Sequence, residues 1–240
     1  MRFLDEILRI IPFIEEQEKE IEEASNRVVD VIKKGGIIHI FGAGHSHILC
    51  EEVFYRAGEF ACINPIFDQG IMLHDGAIKS SFMERLEGYG KYILDRYDLR
   101  KGEILFIISY SGRNTLPIDI AIEGKKRGLF IIALTNTEYS KLFPSRHPSK
   151  KYLKDVADLV ISIPGPIGDA VIELQKSKIK VGPVSTILSA IILHSIFINA
   201  MEKLDMEGII PPIFISANIE GSEENNAKVI EKYKERIKSF

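Results

Sequence analysis

Ile37 to Ser46 reads I-I-H-I-F-G-A-G-H-S, and this stretch decides the fold. Gly35-Gly36 is a turn signal, Ile37 to Phe41 is a short apolar strand, and Gly42 and Gly44 open a tight bend into a helix beginning near Ser46. Glycines at these positions let successive backbone N–H groups point into one small space, which the Ser46 hydroxyl can join, so the loop suits an anion such as phosphate at a helix N-terminus. A second loop has the same design. Ile104 to Ser109 is another apolar strand, and S-Y-S-G-R-N-T at Ser109 to Thr115 offers hydroxyls and a glycine where the next helix starts. Adjacent parallel strands bring such loops together in a crevice beyond their C-terminal ends, where open α/β sheets bind ligands.

Outward from these loops, the chain alternates strand and helix. The N-terminal segment, residues 1–34, is helical, with Ile7, Ile14, Ile21 and Val28 on one apolar stripe and Pro12 placed to bend or split it. A helix is expected from Ser46 to Ala57, stopped by Gly58, then a second strand at Phe60 to Asn64 and a largely helical stretch from Ile71 to Asp98. Further strands are expected at Leu129 to Leu134 and Leu159 to Ile163, and Ile172 to Gly182, with lysines at period two, reads as a lid or an edge strand. Val184 to Leu204 forms a long helix, and Ser222 caps a charged terminal helix reaching about Lys238. Five short apolar strands, most of them linked by helices, imply α/β architecture: a three-layer αβα sandwich around a five-stranded parallel sheet. Residues 35–205 hold that domain and residues 206–240 a tail with its helix, all in one compact unit.

Composition bounds the function. A chain of 240 residues with 45% hydrophobic content buries a full core, and a net charge of −3 supplies no polycation for a nucleic-acid backbone. Cys50 and Cys62 form neither a C-x-x-C pair nor a disulfide ladder, and the start M-R-F-L-D-E meets acids too early for a signal peptide, so a reducing cytoplasm is expected. Val181 to Met201 lacks Asp, Glu, Lys and Arg, yet its Ser185, Thr186, Ser189, His194, Ser195 and Asn199 mark a buried helix rather than a membrane span.

G-A-G-H-S at Gly42 to Ser46 and S-Y-S-G-R-N-T at Ser109 to Thr115 resemble the two phosphate-binding loops of the sugar isomerase (SIS) domain family, whose fold is flavodoxin-like. H-D-G-A-I-K-S-S-F-M-E-R at His74 to Arg85, G-P-V-S-T at Gly182 to Thr186 and N-I-E-G at Asn218 to Gly221 resemble a subgroup labelled phosphoheptose isomerases. The resemblance implies that Ser46, Ser109 and Ser111 hold the phosphate of a phosphosugar, with Gly42, Gly44, Gly112, Asn114 and Thr115 shaping the site. Asn114 stands where family members often have Ser or Thr, and keeps a side-chain donor. Tyr110 replaces a smaller or amide residue and is expected beside the sugar, together with Lys79, Ser185 and Thr186. No nicotinamide cofactor is implied. The family builds its site across subunits, which implies a homodimer or homotetramer, with the N-terminal stripe in or beside the interface.

Isomerising an aldose phosphate needs a base near C2 and a proton carrier for O1 and O2. Glu51 and Glu52 on the first helix and Glu84 are the candidate bases; some family isomerases and lyases place the glutamate ten residues after the first-loop serine, where this chain has Arg56. His45, in the loop, can reach a sugar hydroxyl or the phosphate. His194 is either packed in the core or on a helix whose other side faces the site. His45, His47 and Glu51 are the candidate ligands for the divalent metal that some phosphoheptose isomerases hold. Lys79, Ser80 and Arg85 form a donor cluster for a distal hydroxyl, a carboxylate or a second anion. Three functions compete: an aldose-ketose phosphosugar isomerase working through an enediolate, a phosphosugar lyase or etherase, and a phosphosugar sensor without turnover.

Overall fold

The apolar runs bounded by turn residues become strands: β1 Ile38–Gly42, β2 Ile63–Pro65, β3 Ile104–Ile108, β4 Phe130–Thr135 and β5 Leu159–Ser162. The computed structural model describes all 240 residues. The five strands form one sheet in the order β2-β1-β3-β4-β5, with every neighbouring pair parallel. The helices are α1 Arg2–Ile10, α2 Pro12–Glu15, α3 Glu18–Lys33, α4 Ile48–Val53, α5 Ala77–Met83, α6 Tyr89–Leu94, α7 Thr115–Lys126, α8 Tyr139–Leu142, α9 Leu153–Val156, α10 Ser185–Met206 and α11 Ser222–Tyr233. Residues of α3, α4 and α10 pack with those of β1 and β3 in one core, and residues of α6, α7 and α9 form the core on the opposite face. β1 and β3 are buried along their whole length, as strands covered on both faces must be.

Several expected boundaries move, each for a reason visible in the packing. The helix expected from Ser46 to Ala57 is a 3-10 turn over Gly44–His47 followed by α4, which ends at Val53 because Phe54 turns extended and Tyr55 adopts φ +51°. Aromatic packing draws these residues away: Phe54 stacks on Phe240 at 5.6 Å and Tyr55 meets Phe214 edge-on at 5.0 Å. The second strand starts at Ile63 rather than Phe60, since Phe60 instead bridges antiparallel to Ile213. The stretch from Ile71 to Asp98 holds two short helices separated by Gly88 in the left-handed region. The lysine-rich segment is a separate antiparallel hairpin, β6 Ala170–Glu173 and β7 Lys180–Pro183, outside the main sheet. Gly221, not Ser222, is the N-cap of α11, which ends at Tyr233.

The N-terminal stripe, expected in or beside a subunit interface, packs into the chain's own core. Ile7, Ile14, Ile21 and Val28 are all buried, with Pro12 opening α2 after α1 stops at Ile10. α10 is the one helix long and apolar enough by composition to cross a membrane, and half of its most apolar window is buried inside the protein. Leu188, Ile192, Leu193, Ile196 and Phe197 join it to the core beside α3.

A buried polar network ties the C-terminus to the sheet. Glu103 accepts from His39 Nε2 at 3.0 Å, from the Ile37 N–H at 3.0 Å, and from Arg236 Nη1 at 2.6 Å. Burial works to raise the Glu103 pKa, but the hydrogen bonds from His39, Arg236 and the Arg100 N–H outweigh it and hold the carboxyl at about 2. Burial lowers the His39 pKa, so the ring is neutral, giving its Nε2–H to Glu103 and accepting from Asn64 at 3.0 Å. Both groups bind protons less readily folded than unfolded. Their stabilisation is therefore complete above pH 6.5 and lost as pH falls, first through His39 and then, between about 4.5 and 2, through Glu103, the latter worth about 3 kcal/mol. Glu103→Ala leaves Arg236 with Asp98 alone, at 3.0 Å, and strips the buried His39 Nε2–H and Ile37 N–H of their acceptor, which should cost roughly 3 to 5 kcal/mol in urea unfolding at pH 7 while flattening the acid limb of stability against pH. An unchanged acid limb would exclude this network as its source.

Candidate functional site

β2 and β3 flank β1 on opposite sides, so the chain leaving β1 and the chain leaving β3 diverge, and the sheet's switch point lies between them. Gly42 pairs with Ile108, so both glycine-and-serine loops leave the sheet side by side. Within them the hydroxyls of Ser46, Ser109 and Ser111 make no hydrogen bond to any other group of the protein, although Ser109 is buried and the other two half-buried. Three unpaired donors at one crevice can serve an anion. Gly112, at φ +57°, closes the second loop by donating to Ser109 O at 3.1 Å, and a Cβ there would lie 2.4 Å from Thr135 Oγ1.

The other loop residues have protein partners. Asn114 is the N-cap of α7, and its Oδ1 accepts from Arg146 Nη1 at 2.8 Å. Thr115 is buried and donates to Arg146 O at 3.4 Å. The Tyr110 hydroxyl donates to Pro166 O at 2.9 Å and accepts from Asn136 Nδ2 at 3.2 Å, fastening the P-G-P turn after β5. Gly165 in that turn lies so near that a Cβ would sit 2.7 Å from the hydroxyl and 3.3 Å from Val184 Cγ2. The second loop thereby meets the start of α10, whose first N–H groups, with the Ser185 hydroxyl, are held by Asp169 at 2.7 to 3.0 Å.

α4 and α10 frame a cleft of about 570 Å³, and Glu52, Thr186 and His194 line it among isoleucines. The structure brings Glu52 and His194 together, with Glu52 Oε1 3.2 Å from His194 Nε2. Arg56 holds the other Glu52 oxygen at 2.9 Å. Behind the ring, His194 Nδ1 lies 2.5 Å from Oε1 of Glu59, a carboxylate only 4% exposed whose Oε2 has no partner. Burial raises the Glu59 pKa, against the pull of His194. Once Nδ1–H is given to Glu59, the contact between Nε2 and Glu52 needs one further proton, carried by either group. The three side chains form a line along which a proton can move.

His194 is thus a cleft residue, 30% exposed, rather than a packed core histidine. Glu59 escaped the sequence reading, because nothing in G-E-F marks a glutamate that will be buried against a helix 135 residues away. Glu59→Gln should release the ring from one tautomer. Imidazole 15N chemical shifts would report it: a His194 Nδ1 that is protonated throughout in the wild type and a mixture of tautomers in the variant. Identical spectra would deny Glu59 this role.

The remaining candidates lie elsewhere. His45 is exposed on the 3-10 turn, while Glu51 turns to His47 Nδ1 at 3.0 Å. Burial lowers the His47 pKa, and its Nε2 is enclosed without a partner. Glu84 ends α5 beside the start of α7, and Lys79 is paired with Asp75 on another cavity with Asp68 and Arg96. No three His, Cys, Asp or Glu side chains gather around one point, and Glu52 and Glu59 meet opposite nitrogens of the His194 ring. The donor set does not fit a divalent ion.

The SIS domain model matches residues 2–136, which include both loops, α4 and Glu59. The chain belongs to the SIS domain family. Relatives within it include a UPF0309 protein of Caldanaerobacter subterraneus subsp. tengcongensis, 46% identical over 98% of each chain. Another, from Halalkalibacterium halodurans, is 44% identical over 98% of this chain and 93% of its own. Among solved structures, a phosphoheptose isomerase from Neisseria gonorrhoeae superposes with a TM-score of 0.57 at 16% identity, covering 83% of this chain and 95% of that one. At that identity the SIS member shares the fold.

Proposed function

We propose that this SIS domain binds a phosphosugar in the crevice between β1 and β3 and interconverts its aldose and ketose forms. The observation that carries the reading is the Glu52 and His194 pair beside the loop that presents Ser46. Glu52 lies six residues beyond Ser46, about 9 Å along a helical path, which is within the span of an open-chain phosphosugar. The phosphate is held by the hydroxyls of Ser46, Ser109 and Ser111 and fixes one end of the chain, so that the reacting carbons reach the α4 and α10 cleft. Glu52 takes the C2 proton, leaving an enediolate across C1 and C2. His194 carries a proton from O2 to O1, and Glu52 returns its proton to C1, so no external acid or base is consumed. Glu59 keeps the imidazole oriented throughout. The fold likeness to a phosphoheptose isomerase supports this reaction class.

The binding half of the proposal is tested by calorimetric titration against a panel of aldose and ketose phosphates. Ser111→Ala should weaken binding by about 1 to 3 kcal/mol, the loss of one charge-assisted hydrogen bond, without lowering the melting temperature. Equal affinity in the variant would reject the serine loops as the phosphate site.

A further inference from the structure

Three arginines gather at the start of α7, on the flank of the second loop. Arg113 belongs to that loop, Arg146 follows α8, and Arg85 follows α5. The Arg146 N–H donates to Arg113 O at 2.8 Å, and its Nη1 is tethered by Asn114. Arg113 Nε donates to Pro144 O at 3.0 Å, with the guanidinium over the Phe143 ring. Leu116 N–H donates to Glu84 O at 3.0 Å, which brings the end of α5, and Arg85 with it, to the same helix start.

None of the three has a carboxylate oxygen within 4.0 Å. Every other arginine has one except Arg2, near the N-terminus. In a chain of net charge −3, the unpaired guanidiniums are therefore concentrated beside one ligand loop rather than spread over the surface. Arg146 is exposed, and partial desolvation together with the repulsion of Arg113 and Arg85 lowers its pKa, with Glu84 the one carboxylate opposing them. Such a cluster is electrostatically unfavourable when empty, and an anion relieves it. Guanidinium groups match carboxylate and phosphate in planar, paired hydrogen bonds.

We propose that Arg85, Arg113 and Arg146 form a second anion subsite, so that the ligand of the serine loops carries two negatively charged groups. One is the phosphate held by Ser46, Ser109 and Ser111; the other is a carboxylate or second phosphate at the far side of the α7 start. This rests on the serine loops being a phosphate site. It narrows the substrate class from phosphosugars in general to sugar acids bearing a phosphate or sugar bisphosphates.

Titration calorimetry with matched probes tests it. Glucose 6-phosphate against 6-phosphogluconate adds a carboxylate, and fructose 6-phosphate against fructose 1,6-bisphosphate adds a phosphate. The wild type should bind at least one doubly anionic probe about tenfold more tightly than its match, and the pair showing the preference identifies the second group. Arg146→Met should bring that pair to parity while changing monophosphate affinity less than about twofold. Arg85→Met, at an exposed side chain with no hydrogen bond, should do the same if Arg146→Met fails to fold. Parity in the wild type would overturn the second subsite and leave the serine site standing. Variants that weaken both members of a pair equally would overturn it too, by assigning the arginines to the one phosphate. Absence of binding for all four probes would overturn both the subsite and the phosphosugar reading.

Discussion

Glu52→Gln should lower turnover by about 10² to 10⁴ while leaving phosphosugar affinity within about twofold. The amide keeps the volume of the carboxylate and its reach to His194 and Arg56, but it cannot accept the C2 proton. Binding energy resides in the serine loops, away from the substitution, so the effect falls on the chemical step. Exchange of the substrate C2 proton with D2O, followed by NMR, isolates that step from product release. The wild type should incorporate deuterium, and Glu52→Gln should incorporate it at the reduced rate. Glu84→Gln should behave as wild type, since Glu84 lies beside the α7 start rather than in the cleft lined by His194. Full exchange in Glu52→Gln would remove Glu52 as the base. Binding without exchange in the wild type would favour a sensor.

The sequence showed the sheet and both loops plainly because their signals are local. Apolar runs ending in Gly42 and Ser109 have few alternatives to a buried strand followed by a turn, and the parallel order follows from the helices between them. What escaped was set by contacts between distant residues. α4 ends where it does because Phe214 and Phe240, from the far end of the chain, offer Phe54 and Tyr55 aromatic partners. The Glu59 carboxylate acquires its meaning only when His194 arrives from α10, and helical projection alone left two positions open for that histidine. Tyr110 was expected beside a sugar, yet its hydroxyl is held by Pro166, a partner that no spacing within S-Y-S-G-R-N-T could announce. Arg113 and Arg146 lie 33 residues apart and become one feature only because a backbone hydrogen bond joins them.

Gly42→Ala should destabilise the protein by about 3 kcal/mol and abolish phosphosugar binding, whereas Gly44→Ala should cost only about 1 to 2 kcal/mol. In the sequence the two glycines look equivalent, two residues apart in one bend; the structure separates them. Gly42 ends β1 without needing a positive φ, and what it requires is empty space: a Cβ there would lie 2.3 Å from Ser46 O and 2.5 Å from Ser46 C. Those atoms are backbone, fixed by the turn in which Ser46 N–H donates to Ala43 O at 3.1 Å. They cannot rotate aside as a side chain would, so the 3-10 turn must move as a unit, taking the Ser46 hydroxyl and the start of α4 with it. Gly44 is the reverse case, with φ +59° and nothing within 4 Å of the point a methyl would occupy, so alanine meets only the strain of the left-handed region. Thermal unfolding should show a fall of roughly 6 to 12 °C for Gly42→Ala and a few degrees for Gly44→Ala, with titration at a temperature where both are folded showing binding only in the second. If Gly42→Ala bound phosphosugar with wild-type affinity, the close approach of strand and turn would be irrelevant to the anion site, and the position of Ser46 would have to be fixed by something other than this bend.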